Sequence, residues 1–408
     1  MKIVLVHCQY QQRGGEDVVF EQERQLLERA GHQIVLFLRS NFEADSYPGV
    51  KRLVLIQKAI WNDDTRREFA ELLRTEKPDI VHVHNTWLMI SPSVFIACRE
   101  AGVPVVQTLH NYRLLCPQGS FFRDGAVCEE CMEHTLWRSL RYGCCENSRA
   151  RTAAVGLMLA VHRGRHTWER EVTSYIVLTQ FARNKFLSGG LPAKKMFVKP
   201  NFVYPDPLPR GHNGNSPSAV DRNYVLFAGR LSPETEKRVR TLLSAWTRLR
   251  SPIPLVIAGG GTQRDKLEKE ASTLNLSTVT FKGLLSHDQT LAEMRGARFL
   301  IFSSEWYETF GLTMVEAFAC GVPVICSRMG AMQEIVDDGR TGLHFTPGDA
   351  QDLAEKVEWA WNHPEDMRRM GEEARREYES KYTAEKNYPL LMEIYRDAIA
   401  GHDSESRA

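Results

Sequence analysis

The sequence has no apolar run of about 18 residues, so nothing in it predicts a membrane-spanning helix. It has no surplus of charge either. A formal net charge of +1 removes any whole-protein case for binding nucleic acid. The opening MKIVLVHCQYQQ turns polar too soon for a signal peptide and reads as a first strand. Nine cysteines, an odd count behind no such leader, argue against a disulfide framework and for a reduced, cytoplasmic setting. What is present is an ordinary globular composition, 43% hydrophobic and 25% charged, over 408 residues. That is enough for two or three domains with substantial cores.

Strand-like runs recur at residues 2–7, 34–38, 80–83, 105–108 and 175–178, with helical segments between them. A second set follows at 224–228, 255–258, 279–281, 299–302, 324–326 and 342–345. This alternation predicts an α/β fold, with parallel sheets covered on both faces. Ligands of such sheets bind beyond the carboxyl ends of the strands. Between the two sets, Pro205, Pro207, Pro209, Gly211, Gly214 and Pro217 mark a linker. The expected domains are therefore 1–203 and 223–380, joined by 204–222, with a closing helix over 381–400.

Residues 303–325, SSEWYETFGLTMVEAFACGVPVI, read as strand end, loop, short helix and next strand. The helix is expected from near Gly311 to Gly321, with Pro323 just beyond as a stop signal. Leu312, Val315, Phe318 and Ala319 recur at helical spacing and would face a core. Glu308 stands in the loop and Glu316 inside the helix, among Met314, Val315, Ala317, Phe318 and Cys320. A carboxylate buried there costs several kcal/mol unless donors meet it, and a ligand rich in hydroxyls would supply them. The amides at the helix start, around Phe310 to Thr313, suit an anion, and Thr309, Phe310, Gly311 and Leu312 are the expected donor-binding residues there. An anion site flanked by two hydroxyl-binding carboxylates matches a nucleotide-sugar. The other reading is a helix cap and a carboxylate paired with an arginine.

Glu308 and Glu316, seven residues apart in the form Glu-Thr-Phe-Gly-Leu-x-x-x-Glu-Ala, resemble the E-x7-E signature of retaining glycosyltransferases. The surrounding residues up to TGLHFTPGD are similar to glycosyltransferase family 4, also called group 1. The resemblance implies a GT-B fold: two Rossmann-like domains facing a cleft, with a last helix crossing back to the first domain. It implies a donor site in the second domain, where Glu316 takes ribose hydroxyls and Glu308 the donor sugar. The family's Gly-Arg-Leu-x-x-x-Lys-Gly motif appears as Gly229-Arg230-Leu231, then Lys237-Arg238 after two extra residues. It implies Arg230 on the donor diphosphate, with Lys237 and Arg238 sharing the second cationic role. Gly259, in Gly259-Gly260-Gly261, would admit the nucleotide closely. On the acceptor side it implies Gly14 and Gly15 lining the cleft and His110, in TLHNYR, near the transferred sugar. His84 and Asn111 also follow strand ends there. There is no D-x-D, so catalysis without a metal cofactor is expected.

Cys116, Cys128, Cys131 and Cys144 or Cys145 have the ligand count of a structural zinc, and reduced buried thiols are the other reading. The insert spans about 116–145, and a similar one occurs in a subset of the family. Residues 137–170 are basic: Arg138, Arg141, Arg149, Arg151, Arg163, Arg165 and Arg170 flank an apolar segment over 153–161. They predict a core helix with a solvated face, or contact with an anionic membrane surface. The expected partners are a nucleoside-diphosphate sugar and a sugar or lipid-linked saccharide acceptor. Two rivals stand beside the transferase. One is a sugar-nucleotide epimerase of the same architecture, needing no acceptor. The other is a non-catalytic scaffold that binds the nucleotide without hydrolysing it.

Overall fold

The structure, a computed structural model, describes residues 1–11, 14–47, 52–208, 223–232 and 236–407; the side chains of 52–53, 236–237 and 403–407 lie outside that description. Contacts divide the chain into two units: Met1–Arg123 with Cys128–Asn201 and Glu385–Ala408, and Phe202–Ala384 with Asp124–Val127.

The strands of the amino-terminal half are β1 (Lys2–Gln9), β2 (Gln33–Ser40), β3 (Ile80–Val83), β4 (Val105–Thr108), β5 (Phe122–Arg123), β6 (Ala126–Val127), β7 (Ser174–Val177) and β8 (Met196–Val198). β5 and β6 pair as a short hairpin. The other six form one sheet in the order β2-β1-β3-β4-β7-β8, with every pairing parallel. β1 is buried from Ile3 to Cys8, as a strand covered by helices on both faces must be. It has β2 on one side and β3 on the other, so the chain leaves it in opposite directions. That reversal opens a crevice beyond the carboxyl ends of β1 and β3.

The second unit repeats the plan with β9 (Val225–Ala228), β10 (Leu255–Ala258), β11 (Val279–Gly283), β12 (Phe299–Phe302), β13 (Val324–Ser327) and β14 (Gly342–Phe345). Their order is β11-β10-β9-β12-β13-β14, again parallel. The reversal now falls between β9 and β12. The core joins Val225, Phe227, Ile257 and Ile301 of the sheet to Leu242, Leu243, Trp246 and Val357 of its covering helices.

The last helix, Ala384–Arg407, belongs from Glu385 onward to the first unit. Tyr395 reaches His82 of β3 at 2.7 Å, and Asn387 accepts from Lys199 at 2.9 Å and donates to the Pro200 carbonyl at 2.6 Å. The basic segment contains the helix Arg149–Gly164, which buries Thr152, Ala154, Val155, Met158, Leu159 and His162. It is a core helix, and Arg163 is tied to the Leu114 carbonyl at 2.7 Å. Arg138, Arg141, Arg149 and Arg151 remain exposed, beside Trp137 at 50% and Tyr142 at 44% exposure.

Candidate active site

At the carboxyl edge of the second sheet, β9 runs into Gly229, β10 into Gly259 and β12 into Ser303. The Gly229 amide donates to the Ala258 carbonyl at 3.0 Å, and the Gly259 amide to the Gly283 carbonyl at 2.8 Å. A Cβ on Gly259 would lie 1.9 Å from the Gly229 carbonyl oxygen, so only glycine lets these turns approach. Arg230, next along, is exposed. Glu308 accepts from the Ser304 hydroxyl at 2.7 Å. Burial holds its carboxyl above the usual range, opposed by Arg238, Ser304 and Trp306.

The helix predicted near Gly311 spans Leu312–Ala319. Gly311 caps it at φ +94°, a left-handed backbone that calls for glycine. Phe310 is buried, while Thr309 and Leu312 are part-exposed. Glu316 lies in the second turn, 7% exposed, with its Oε1 3.6 Å from His287 Nδ1. Burial pushes its carboxyl up to about 7. Two carboxyls with raised proton affinity thus flank one helix start.

Sequence reasoning left the second cation open. The Lys237 side chain lies outside the described residues. Arg238 is 8% exposed, over the Trp306 ring at 5.0 Å, and its Nη2 donates to the Arg230 carbonyl at 3.4 Å. Burial lowers its guanidinium to about 10, opposed by the neighbouring Glu308. The signal was available: Arg238 sits one turn before Leu242 on the buried stripe of its helix. Glu305, which sequence reasoning missed, is 6% exposed and accepts from the Thr241 hydroxyl at 2.5 Å.

In the first unit, the edge beyond β1, β3 and β4 gathers the amino-terminal candidates. Gly14 precedes the helix Gly15–Arg29 with φ −127°, and its amide donates to the Asp17 carboxylate at 2.8 Å. Asp17 also meets His7 Nε2 at 2.9 Å. A Cβ on Gly15 would meet nothing within 4 Å, so the protein itself does not demand glycine there. Asn111 uses its side chain locally, accepting from the Arg113 amide at 3.0 Å. His84 and His110 are brought together, Nδ1 to Nε2, at 3.0 Å with rings stacked. His84 is 3% exposed and lies beneath; His110 is part-exposed. Burial and the nearby His7 and Lys199 lower the His110 ring to about 3, so it is neutral at working pH.

Glu23, His82 and His84 bring one ligand atom each to within 4.8 Å of one another, as a metal site would. A cation is already there: Lys199 Nζ lies 3.6 Å from the Glu23 carboxylate. Both His82 nitrogens are engaged by hydroxyls, of Tyr395 and Thr108, at 2.7 Å. The cysteines of the insert are all free thiols. Cys116 is buried, and the amides of Gly119, Phe121 and Gln118 point at its sulfur. Burial, then the neighbouring Cys116, Cys144 and Cys128, push Cys131 up to about 12. Among the described residues no three of these sulfurs lie within 4.8 Å of one another. They stand wider than a closed site with sulfurs about 2.3 Å from zinc.

Comparison with known proteins bears on what these edges do. The family described as glycosyltransferase family 4 matches residues 13–206, and the glycosyl transferases group 1 match 212–377. The chain belongs to the group 1 glycosyltransferases. Glycogen synthase of Mycobacterium tuberculosis is 28% identical over 337 residues, 80% of this chain and 71% of the relative. O-antigen chain mannosyltransferase C of Escherichia coli is 30% identical over 178 residues, covering 43% of this chain and 47% of that protein. Among solved structures, HepE from Anabaena in complex with UDP and glucose aligns with a TM-score of 0.67 at 18% identity, over 96% of this chain and 98% of that one. Sucrose-phosphate synthase from Thermosynechococcus elongatus aligns with a TM-score of 0.70 at 20% identity, over 98% and 99%. At these identities the structural likeness fixes the GT-B fold. Transferase activity is the family's property, shared by relatives named for glycogen and O-antigen synthesis.

Proposed function

We propose that this enzyme moves a sugar from a nucleoside diphosphate sugar to an acceptor hydroxyl with retention of configuration. The observation that carries this is the pair Glu308 and Glu316 flanking the helix start at Gly311, beside the strand-order reversal of the second sheet. The UDP complex of HepE supports a nucleotide donor. Glu316 accepts from the ribose hydroxyls and Glu308 from the donor sugar. The bond between the anomeric carbon and the β-phosphate oxygen breaks, and the acceptor oxygen bonds on the same face. The acceptor's proton passes to the departing phosphate. Arg230 and Lys237, aided by Arg238 and the amides near Phe310 and Leu312, stabilise the charge that develops there. Gly229 and Gly259 give the nucleotide close access to backbone. No metal has a role in this chemistry. His110 works on the acceptor side with Gly14, Gly15, His84 and Asn111 around it. The acceptor is a growing bacterial surface polysaccharide or glycolipid, met at the cytoplasmic face of the membrane.

A panel of nucleoside diphosphate sugars tests this, scored by calorimetric binding and slow hydrolysis. One donor should bind and hydrolyse, releasing the sugar first in its original anomeric form. A donor converted to its epimer without hydrolysis, or no binding across the panel, would overturn the reading.

A further inference from the structure

The carboxyl edge of the first sheet holds a group of side chains that the donor chemistry does not use. Tyr10 lies just past β1, Trp87 past β3 and Arg113 past β4, and Glu16 stands in the first turn of the helix Gly15–Arg29. All four are part-exposed. The Tyr10 hydroxyl donates to Glu16 Oε2 at 3.4 Å. The Arg113 guanidinium lies over the Trp87 ring, 5.2 Å from its centre, and the Arg113 amide donates to the Asn111 side chain at 3.0 Å. Both charged groups are only half used. Among the described residues, Arg113 Nε and Nη1 and Glu16 Oε1 are buried with no hydrogen-bond partner. Open donors and an open acceptor of this kind carry a desolvation cost that a ligand offsets when it meets them.

Charge and hydrogen-bond direction decide which ligand that is. Burial pushes the Glu16 carboxyl up to about 8, opposed first by Arg113, so the two groups are neighbours. Asp17 adds a negative charge close enough to raise Glu16 further. An anion on Arg113 would share the edge with both acids. A hydroxyl meets no such conflict, because it accepts from one group and donates to another. Two hydroxyls on adjacent carbons of a sugar ring match an arginine and a carboxyl held side by side. Burial and the Glu16 carboxyl keep the Tyr10 phenol above its usual range, so it stays a donor and fixes the other Glu16 oxygen. Asp17 is already engaged, by His7 at 2.9 Å and the Gly14 amide at 2.8 Å. A Cβ on Gly15 would meet nothing within 4 Å, so the backbone beside Glu16 borders open space.

We propose that Glu16 and Arg113 form a sugar subsite that holds two neighbouring ring hydroxyls, one donating to Glu16 Oε1 and the other accepting from Arg113. Arg113 follows His110 by three residues, which puts the subsite on the acceptor side; that assignment alone rests on the transferase reading above. The acceptor is then a saccharide that presents an intact pair of adjacent hydroxyls, and not the bare phosphate of a lipid carrier.

The test titrates full-length protein, without donor, with methyl α-glucoside, α-mannoside and α-galactoside, followed by saturation-transfer NMR. At least one glycoside should bind. Its Kd should rise tenfold or more when either hydroxyl of the pair is replaced by hydrogen, and by as much in Glu16→Met and Arg113→Met, the worth of about one hydrogen bond to a charged group. The deoxy glycosides probe native protein, so the test holds even where a variant fails to fold. Binding of no glycoside, equal binding of the deoxy forms, or inorganic phosphate bound at Arg113 in place of a glycoside would overturn the proposal. A protein that binds the glycoside through these residues yet transfers no sugar would sink the transferase reading and leave the subsite standing. A transferase whose acceptor KM is native in folded Arg113→Met would sink the subsite alone.

Discussion

Glu316 offers the most direct test, because its helix buries a carboxyl whose nearest ionisable neighbour is His287 at 3.6 Å. Its neighbours Met314, Val315, Ala317, Phe318 and Cys320 are each 0% exposed. Raising its proton affinity from the ordinary 4.5 to about 7 corresponds to about 3 kcal/mol, at ~1.36 kcal/mol per pH unit. The sign follows from which state holds the proton longer. The unfolded chain releases it first, near 4.5, while the folded one keeps it to about 7. The free enzyme therefore loses stability as pH climbs from 4.5 toward 7 and is level above that. Two ribose hydroxyls donating to the ionised carboxylate return roughly 1.5–3 kcal/mol each. Nucleotide binding pulls the proton off, so it strengthens with pH. The ionised fraction falls about tenfold between pH 8 and pH 6, so affinity should fall by roughly 1.4 kcal/mol over that range.

Calorimetry with the preferred nucleoside diphosphate, at pH 6 and pH 8, reads this directly. The nucleotide's own phosphate also titrates nearby, so Glu316→Gln serves as the reference. That variant should bind more weakly at pH 8, keep only the phosphate's pH dependence, and melt at a higher temperature than native protein at pH 8 without ligand. Identical pH dependence in the two proteins would refute the assignment of Glu316 to the ribose.

The cysteine insert gives a second measurement. If Cys116, Cys128, Cys131 and Cys144 or Cys145 close around zinc, protein purified without chelator carries about one zinc per chain, the metal displacing the proton that burial holds on the Cys116 thiol. Elemental analysis finding none would leave four reduced thiols. The exposed Arg138, Arg141, Arg149 and Arg151 beside Trp137 and Tyr142 are expected to hold the enzyme on anionic vesicles at low salt, each worth on the order of 1 kcal/mol and screened as salt rises. Replacing the four arginines with glutamine should weaken flotation with vesicles; no flotation of the native protein at low salt would point to a soluble acceptor.

How much of this was legible in the sequence depended on how local each signal was. Strands β3, β4, β10, β12 and β14 fall where their apolar runs predicted, because a strand buried on both faces writes itself as a continuous stretch. The helix at Leu312–Ala319 was fixed by its own glycines and apolar spacing. β8, only Met196–Val198 and bordered by lysines, carried too little pattern to be seen. In the basic segment packing explains the apolar stretch, since Thr152, Val155 and Leu159 share a buried face, while the exposed arginines carry the membrane reading to the vesicle test.

The misfits in the sequence marked where to look but not what they meet. Glu316 among apolar neighbours announced a buried carboxyl, and Arg238 on an apolar stripe announced a buried cation. Their partners come from elsewhere in the chain: His287 at 3.6 Å from Glu316, and Trp306 and the Arg230 carbonyl around Arg238. The buried polar cluster of the first unit is the extreme case. Glu23, His84, Lys199 and Asn387 are separated by up to several hundred residues, and no spacing rule links them. Each alone reads as an ordinary helix or loop residue. Only the fold brings them together, with Glu23 on the helix after β1, His84 just past β3, Lys199 just past β8 and Asn387 on the last helix. A buried charge costs several kcal/mol unless it is paired. Glu23 meets that cost through Lys199, whose Nζ stands 3.6 Å from its carboxylate, a pairing that no local pattern in the chain announces.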